Sequence, residues 1–150
     1  MTEQELDDFV TAQIDKNDTG KGGGSPMWVR SNPNPKRKEV PDCVVRAIAI
    51  AMNRRWYDVY DDLYRIGREE CDMPNSDEVW GKYLYRLGFE PFLLPESCPQ
   101  CVTVKMFCHI FRQGVYIIGT GNHAVAVIDG DYYDSWDSGS MIPSFFWRLR

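Results

Sequence analysis

The sequence predicts an α+β domain, and three observations carry that prediction. Apolar residues recur at helical spacing in several segments before residue 114, and from residue 115 the period shortens to that of strands. Between two of the strand-like runs stands Asp129-Gly130, the dipeptide pattern that most directly specifies a tight β-hairpin. The expected arrangement is an N-terminal helical part with one buried helix, packed on a C-terminal antiparallel sheet. With 150 residues, 43% hydrophobic and 13% aromatic, the chain supports one substantial core.

Thr2-Glu3-Gln4-Glu5 fits a capping box, and Leu6, Phe9, Val10 and Ile14 share one face of the helix that follows. The stretch Asn17 to Pro26 is rich in glycine and ends it. Residues 1–25 are therefore expected as an acidic helix on a tether, and residues 26–150 as the domain proper. The helix either docks on the domain surface or frays in solution, or else it binds a protein partner or occludes the domain itself. Met27 to Arg30 reads as a short strand, and Ser31-Asn32-Pro33-Asn34-Pro35 must then be extended or turning, because a residue before proline is pushed out of the helical region.

A helix from Cys43 to about Met52 is apolar except for Arg46, too apolar to lie on a surface, and is expected at the centre of the core. A second spans roughly Tyr57 to Ile66. A third starts near Asn75 or Ser76 with acids in its first turn, points Val79, Trp80, Tyr83, Leu84 and Leu87 inward, and stops at Gly88. A fourth starts at Thr103, carries Val104, Phe107, Cys108 and Phe111 on one face, and is closed by Gly114. Strands are expected at Val115 to Ile118, Ala124 to Ile128, Tyr132-Tyr133 and Phe145 to Trp147.

The net charge of −5 is concentrated at the start, where residues 1–20 hold six acids against Lys16, so the remainder sums to zero. A nucleic-acid partner requires a clustered positive field, and the short run Lys36-Arg37-Lys38, flanked by prolines and acids, reads as a solvated loop. No stretch approaches the roughly 20 apolar residues of a membrane span, and the acidic start is unlike a secretory signal. A cytoplasmic location is expected, with neither nucleic acid nor membrane as partner. Five cysteines, an odd number at spacings that form no disulfide framework, suggest reduced thiols.

Cys43 is the most informative of them. It falls in the first turn of the apolar helix, where unpaired backbone N–H groups and the positive end of the helix dipole stabilise a thiolate. His123 opens the alternating run Ala124 to Ile128, and Asp134 follows it. If Asp129-Gly130 forms a two-residue turn, Val125 stands opposite Asp134, which makes His123 and Asp134 diagonal neighbours on one face and puts Asp131 and Asp137 on the other; a three-residue turn would reverse that choice of acid. Cys43 would then be the nucleophile, His123 its base and Asp134 the group that orients the imidazole. The Cys43 backbone N–H can supply one oxyanion donor, and the side-chain amide of Asn34, or that of Asn32, a second. No cofactor and no metal is called for by this chemistry.

Asp42-Cys43-Val44-Val45-Arg46-Ala47, His123 to Gly130 and Tyr133-Asp134-Ser135-Trp136-Asp137 together resemble the compact papain-like cysteine peptidases of bacteria and their phages, which are distantly similar to bacteriocin-leader peptidases. The resemblance covers roughly Asn34 to the C-terminus. It implies a papain-like fold, a thiol protease acting on a protein or peptide substrate, and a place in a bacterial or phage-infected cell or in a virion. Asp134-Ser135-Trp136 looks like an acidic counterpart of the Asn-Ser-Trp triplet of papain. Arg37 stands where the family usually has the glutamine of its oxyanion hole, so a papain-like binding module without turnover is the alternative reading.

Other motifs have plainer readings. Arg46 either steers substrate carboxylates or pairs with a buried acid. Cys98-Pro99-Gln100-Cys101 has redox or zinc spacing, against which stand loop or buried cysteines, since Cys108 and His109 diverge by roughly 100° on a helix and Cys71 is remote.

Overall fold

The computed structural model describes residues 1–18, 24–96, 98–99 and 101–150. Helix α1 (Glu3–Asp18) begins with the reciprocal capping box: the Glu5 N–H donates to Thr2 Oγ1 at 3.1 Å and the Thr2 N–H to Glu5 Oε2 at 2.6 Å. Leu6, Val10 and Ile14 are buried, so α1 docks on the domain and contributes to its core. Most of the glycine-rich tether, residues 19–23, lies outside the described residues.

Strand β1 (Trp28–Arg30) and the proline loop lead to α2 (Cys43–Ala51). The next helix, α3 (Trp56–Glu70), runs four residues past the expected end at Ile66. Gly67 does not break it; a Cβ there would stand 2.8 Å from the Asp72 carbonyl, so this glycine permits a close approach of chain. Ser76 caps α4 (Asp77–Arg86) by accepting from the Val79 N–H at 3.3 Å, and Thr103 caps α5 (Val104–Ile110) by accepting from the Met106 N–H at 3.2 Å.

Between these two helices lies β2 (Phe89–Leu93), a strand that the sequence reading missed. Pro91 within Phe-Glu-Pro-Phe-Leu argues against a central strand, and β2 is in fact an edge strand, where a missing donor is tolerated. The remaining strands are β3 (Val115–Gly119), β4 (Ala124–Ile128), β5 (Asp131–Asp134) and β6 (Phe145–Leu149), giving the sheet order β1-β5-β4-β3-β6-β2. The expectation of a purely antiparallel C-terminal sheet needs correcting on two counts. β1 pairs with β5 in parallel, and β2 enters from the helical part to pair with β6. The class is α+β with a mixed sheet.

The sheet is covered on both faces. Ile117, Ala124 and Ala126 meet α2, α3 and α4, while Ile118, Val125, Val127 and Tyr132 meet α1 and α5. This is why β4 is apolar at every position from Ala124 to Val127, and why alanines face α2: small side chains let the helix lie close to the strand. Asp129 (φ 49°) and Gly130 (φ 83°) form the two-residue turn, and the ladder pairs Ile128 with Asp131, Val127 with Tyr132 and Ala126 with Tyr133, the expected register.

Cys98 and Cys101 are joined by a disulfide, which corrects the expectation of reduced thiols throughout: the turn through Pro99 brings their Cα atoms to 4.3 Å. Cys43, Cys71 and Cys108 are free. Among the described residues no helix is long and apolar enough to cross a membrane.

Candidate active site

Asp42 precedes α2 without capping it, because its carboxylate is held elsewhere. Oδ1 pairs with Arg46 Nη1, and Oδ2 accepts from Asn34 Nδ2 at 3.2 Å and from Trp56 Nε1 at 2.9 Å. Cys43 then occupies the first position of α2, half-buried, where the backbone N–H groups of the first turn have no helical partners.

His123 is delivered by the β3–β4 turn, whose Thr120 N–H donates to the His123 carbonyl at 2.9 Å. Its Nε2 lies 2.6 Å from Asp134 Oδ2. The other ring nitrogen remains for Cys43, whose thiol lies close enough for the two groups to shift each other's protonation. Thiol, imidazole and carboxylate thus lie in series, the imidazole bonded to the carboxylate and electrostatically coupled to the thiol. The β4–β5 ladder stops at Ala126–Tyr133, so His123 and Asp134 meet beyond its end, while Asp134 itself pairs with Arg30 of β1. Trp136 covers the imidazole, ring centroids 5.0 Å apart.

Asp134 is saturated with donors. Oδ2 also accepts from Ser138 Oγ at 2.7 Å, and Oδ1 accepts from the Ser135 N–H at 2.8 Å and from Arg46 Nη2 at 3.4 Å. Its backbone carbonyl accepts from the Ser31 N–H at 2.9 Å and from Trp28 Nε1 at 3.2 Å, which ties the site to β1. The other two acids of the hairpin are engaged elsewhere: Asp131 accepts from the Met27 N–H at 2.9 Å, and Asp137 from the Tyr132 hydroxyl at 2.6 Å.

The charges support one another. Burial pushes the Cys43 thiol up, but hydrogen bonds from His123 and from the Ala124 N–H, with the nearby cations His123 and Arg46, bring it below its ordinary value. Burial pulls His123 down, yet the bonds to Asp134 and to Cys43 outweigh it and raise the imidazole to about 9. Burial raises Asp134, and the donors His123, Ser138 and Ser135 hold it below the ordinary carboxylate range. Both shifts favour a thiolate facing an imidazolium. By contrast, burial lifts Cys108 to about 12, which leaves it an inert core thiol.

The structure brings Cys43, His123 and Asp134 together. Asn34 is buried beside Asp42, with one amide hydrogen committed to that carboxylate and its Oδ1 accepting from the Lys36 N–H at 3.0 Å. The half-buried Asn32 donates to the Lys38 carbonyl at 3.3 Å, and the Arg37 guanidinium turns back onto the Asn32 carbonyl at 2.5 Å. Of the alternatives for Arg46, pairing with buried acids holds. Ser138 was not legible in sequence; nothing about a serine four residues past an acid signals a bond to it. Among the described residues no three His, Cys, Asp or Glu side chains are grouped to hold a metal ion. A groove of about 390 Å³, lined by Asp42, Val44 and Val45 on one side and Trp56, Tyr60 and Met73 on the other, opens beside the start of α2.

Comparison with protein-family models, curated proteins and solved structures finds no match to this chain.

Proposed function

We propose that the protein is a thiol hydrolase of papain-like type, a cysteine peptidase that cleaves a peptide or isopeptide bond through Cys43, His123 and Asp134. The observation that carries this reading is a thiol at a helix start coupled to an imidazole that is itself bonded to a donor-saturated carboxylate. The chain order Cys, His, Asp and the placement of the thiol on a helix packed against the strands that bear its partners support the papain-like assignment.

In the proposed reaction the Cys43 thiolate attacks the substrate carbonyl carbon and forms a tetrahedral oxyanion, which the Cys43 N–H and a second donor stabilise. The C–N bond then breaks as the His123 imidazolium gives its proton to the leaving amine, leaving a thioester. Neutral His123 next takes a proton from water; the resulting hydroxide attacks the thioester, releasing the acid and restoring thiolate and imidazolium. Asp134 holds the imidazole in orientation and stays ionised. The free amide hydrogen of Asn34 is the candidate second donor.

A small alkylating reagent tests the first element: Cys43 should react faster than an ordinary thiol between about pH 6 and 8, and His123→Ala should remove the advantage. Equal rates for the two proteins would sink the assignment. A second reading, a binding module of the same fold without turnover, is favoured by the Arg37 contact and by the commitment of Asn34 to Asp42. It predicts a reactive Cys43 but no cleavage of any peptide.

A further inference from the structure

Arg46 lies one helical turn beyond Cys43 and is only 6% exposed, a place where a guanidinium needs partners on every side. Its two terminal nitrogens reach different parts of the molecule. Nη1 pairs with Asp42 Oδ1 and meets the Val40 carbonyl at 3.4 Å, both in the loop that leads into α2. Nη2 pairs with Asp134 Oδ1 at 3.4 Å, at the end of β5 and 88 positions along the chain. Asp42 immediately precedes the thiol residue, and Asp134 carries the imidazole. The charged groups assembled here are Asp42, Arg46, His123, Asp134 and the Cys43 thiolate. Among the described residues, Arg46 is the side chain that touches both carboxylates.

We propose that Arg46 is a positioning residue: by spanning Asp42 and Asp134 it sets the separation of the Cys43 thiol from the His123 imidazole. The proposal rests on these two groups being the reactive pair. Two buried carboxylates repel one another, and a planar guanidinium can satisfy both at once because its nitrogens diverge in a fixed fork. A lysine offers one point charge at the end of a flexible stem and can serve one carboxylate but not hold both. Arg46 therefore acts through two carboxylates, each of which anchors one member of the pair, and needs no contact with substrate.

The test is the pH profile of Cys43 alkylation by iodoacetamide in the full chain, with the site of modification read by mass spectrometry. Arg46→Met should lower the rate at neutral pH about tenfold or more and move the acid limb up by about one pH unit. Arg46→Lys should fall between that variant and the wild type. The double variant Asp42→Asn/Arg46→Met removes the carboxylate left without its partner, and should keep the displaced profile while the fold is retained. A wild-type profile in Arg46→Met overturns the proposal. So does recovery of that profile in the double variant, because Arg46 would then merely neutralise Asp42. If Arg46→Met does not fold, the lysine and double variants decide by the same readout. Wild-type alkylation that is indifferent to His123→Ala overturns the thiolate–imidazolium reading itself, and is thereby told apart from failure of the Arg46 role.

Discussion

His123 is one of only two histidines in the chain, so its titration can be followed directly by NMR of the imidazole carbons. Asp134→Asn is the informative perturbation. The carboxylate sits 2.6 Å from Nε2, and a hydrogen bond to a charged partner contributes roughly 1.5–3 kcal/mol. One pKa unit corresponds to about 1.4 kcal/mol, so losing the negative charge while keeping the shape should lower the His123 value by about 1–2 units. From about 9 in the wild type, the imidazole would then titrate at roughly 7–8. Burial pulls in the same downward direction and is no longer opposed by the carboxylate. Cys43→Ser should lower the value as well, because thiolate and imidazolium titrate as a coupled pair. His109 serves as the internal reference, since burial and the neighbouring Arg112 place it below the ordinary imidazole value. Because the folded value lies above the ordinary 6.5, the imidazolium stabilises the fold below that pH, and its contribution fades as pH rises through about 9. A wild-type His123 that titrates near 6.5, or a midpoint that Asp134→Asn leaves in place, refutes the argument.

Three further outcomes are expected. Leu6→Ala should lower the unfolding free energy by about 2–4 kcal/mol in a denaturant titration and leave the Cys43 alkylation profile unchanged, because Leu6 is 1% exposed in the core cluster of α1 and α5, apart from the site. Ser138→Ala removes the 2.7 Å bond to Asp134 and should cost roughly 1–3 kcal/mol at neutral pH. As Asp134 is held below the ordinary carboxylate range, its stabilisation is present above that range and lost as pH falls; the variant should therefore begin to unfold at a higher pH in an acid titration. Gly130→Ala forces a side chain into φ 83° and should destabilise by about 1–2 kcal/mol in thermal unfolding, with equal stability arguing against the observed hairpin turn.

Local rules carried much of this molecule. The capping box at Thr2, the Ser76 and Thr103 caps and the Asp129-Gly130 turn each depend on groups within a few residues, so their sequence signatures survive any tertiary context. Hairpin parity also brought His123 to Asp134 and set Asp131 and Asp137 aside, because a two-residue turn leaves no freedom of register. β2 was lost for the opposite reason. Pro91 reads as a breaker until the sheet is assembled and its strand proves to be an edge. The parallel pairing of β1 with β5 joins segments about 100 residues apart, and no local signal encodes it.

By itself, then, the sequence determined the class, the register of the hairpin and the grouping of an imidazole with one particular acid, since each follows from backbone geometry over short stretches. Only the tertiary structure decided what surrounds them. Asp42 and Asp134 lie far apart in the chain and share Arg46, Ser138 closes on the same carboxylate, and the Asn34 amide is drawn to Asp42. Each of these is a buried polar contact whose partner is chosen by desolvation, the cost of leaving any one of the groups unpaired, and that cost exists only once the chain has packed.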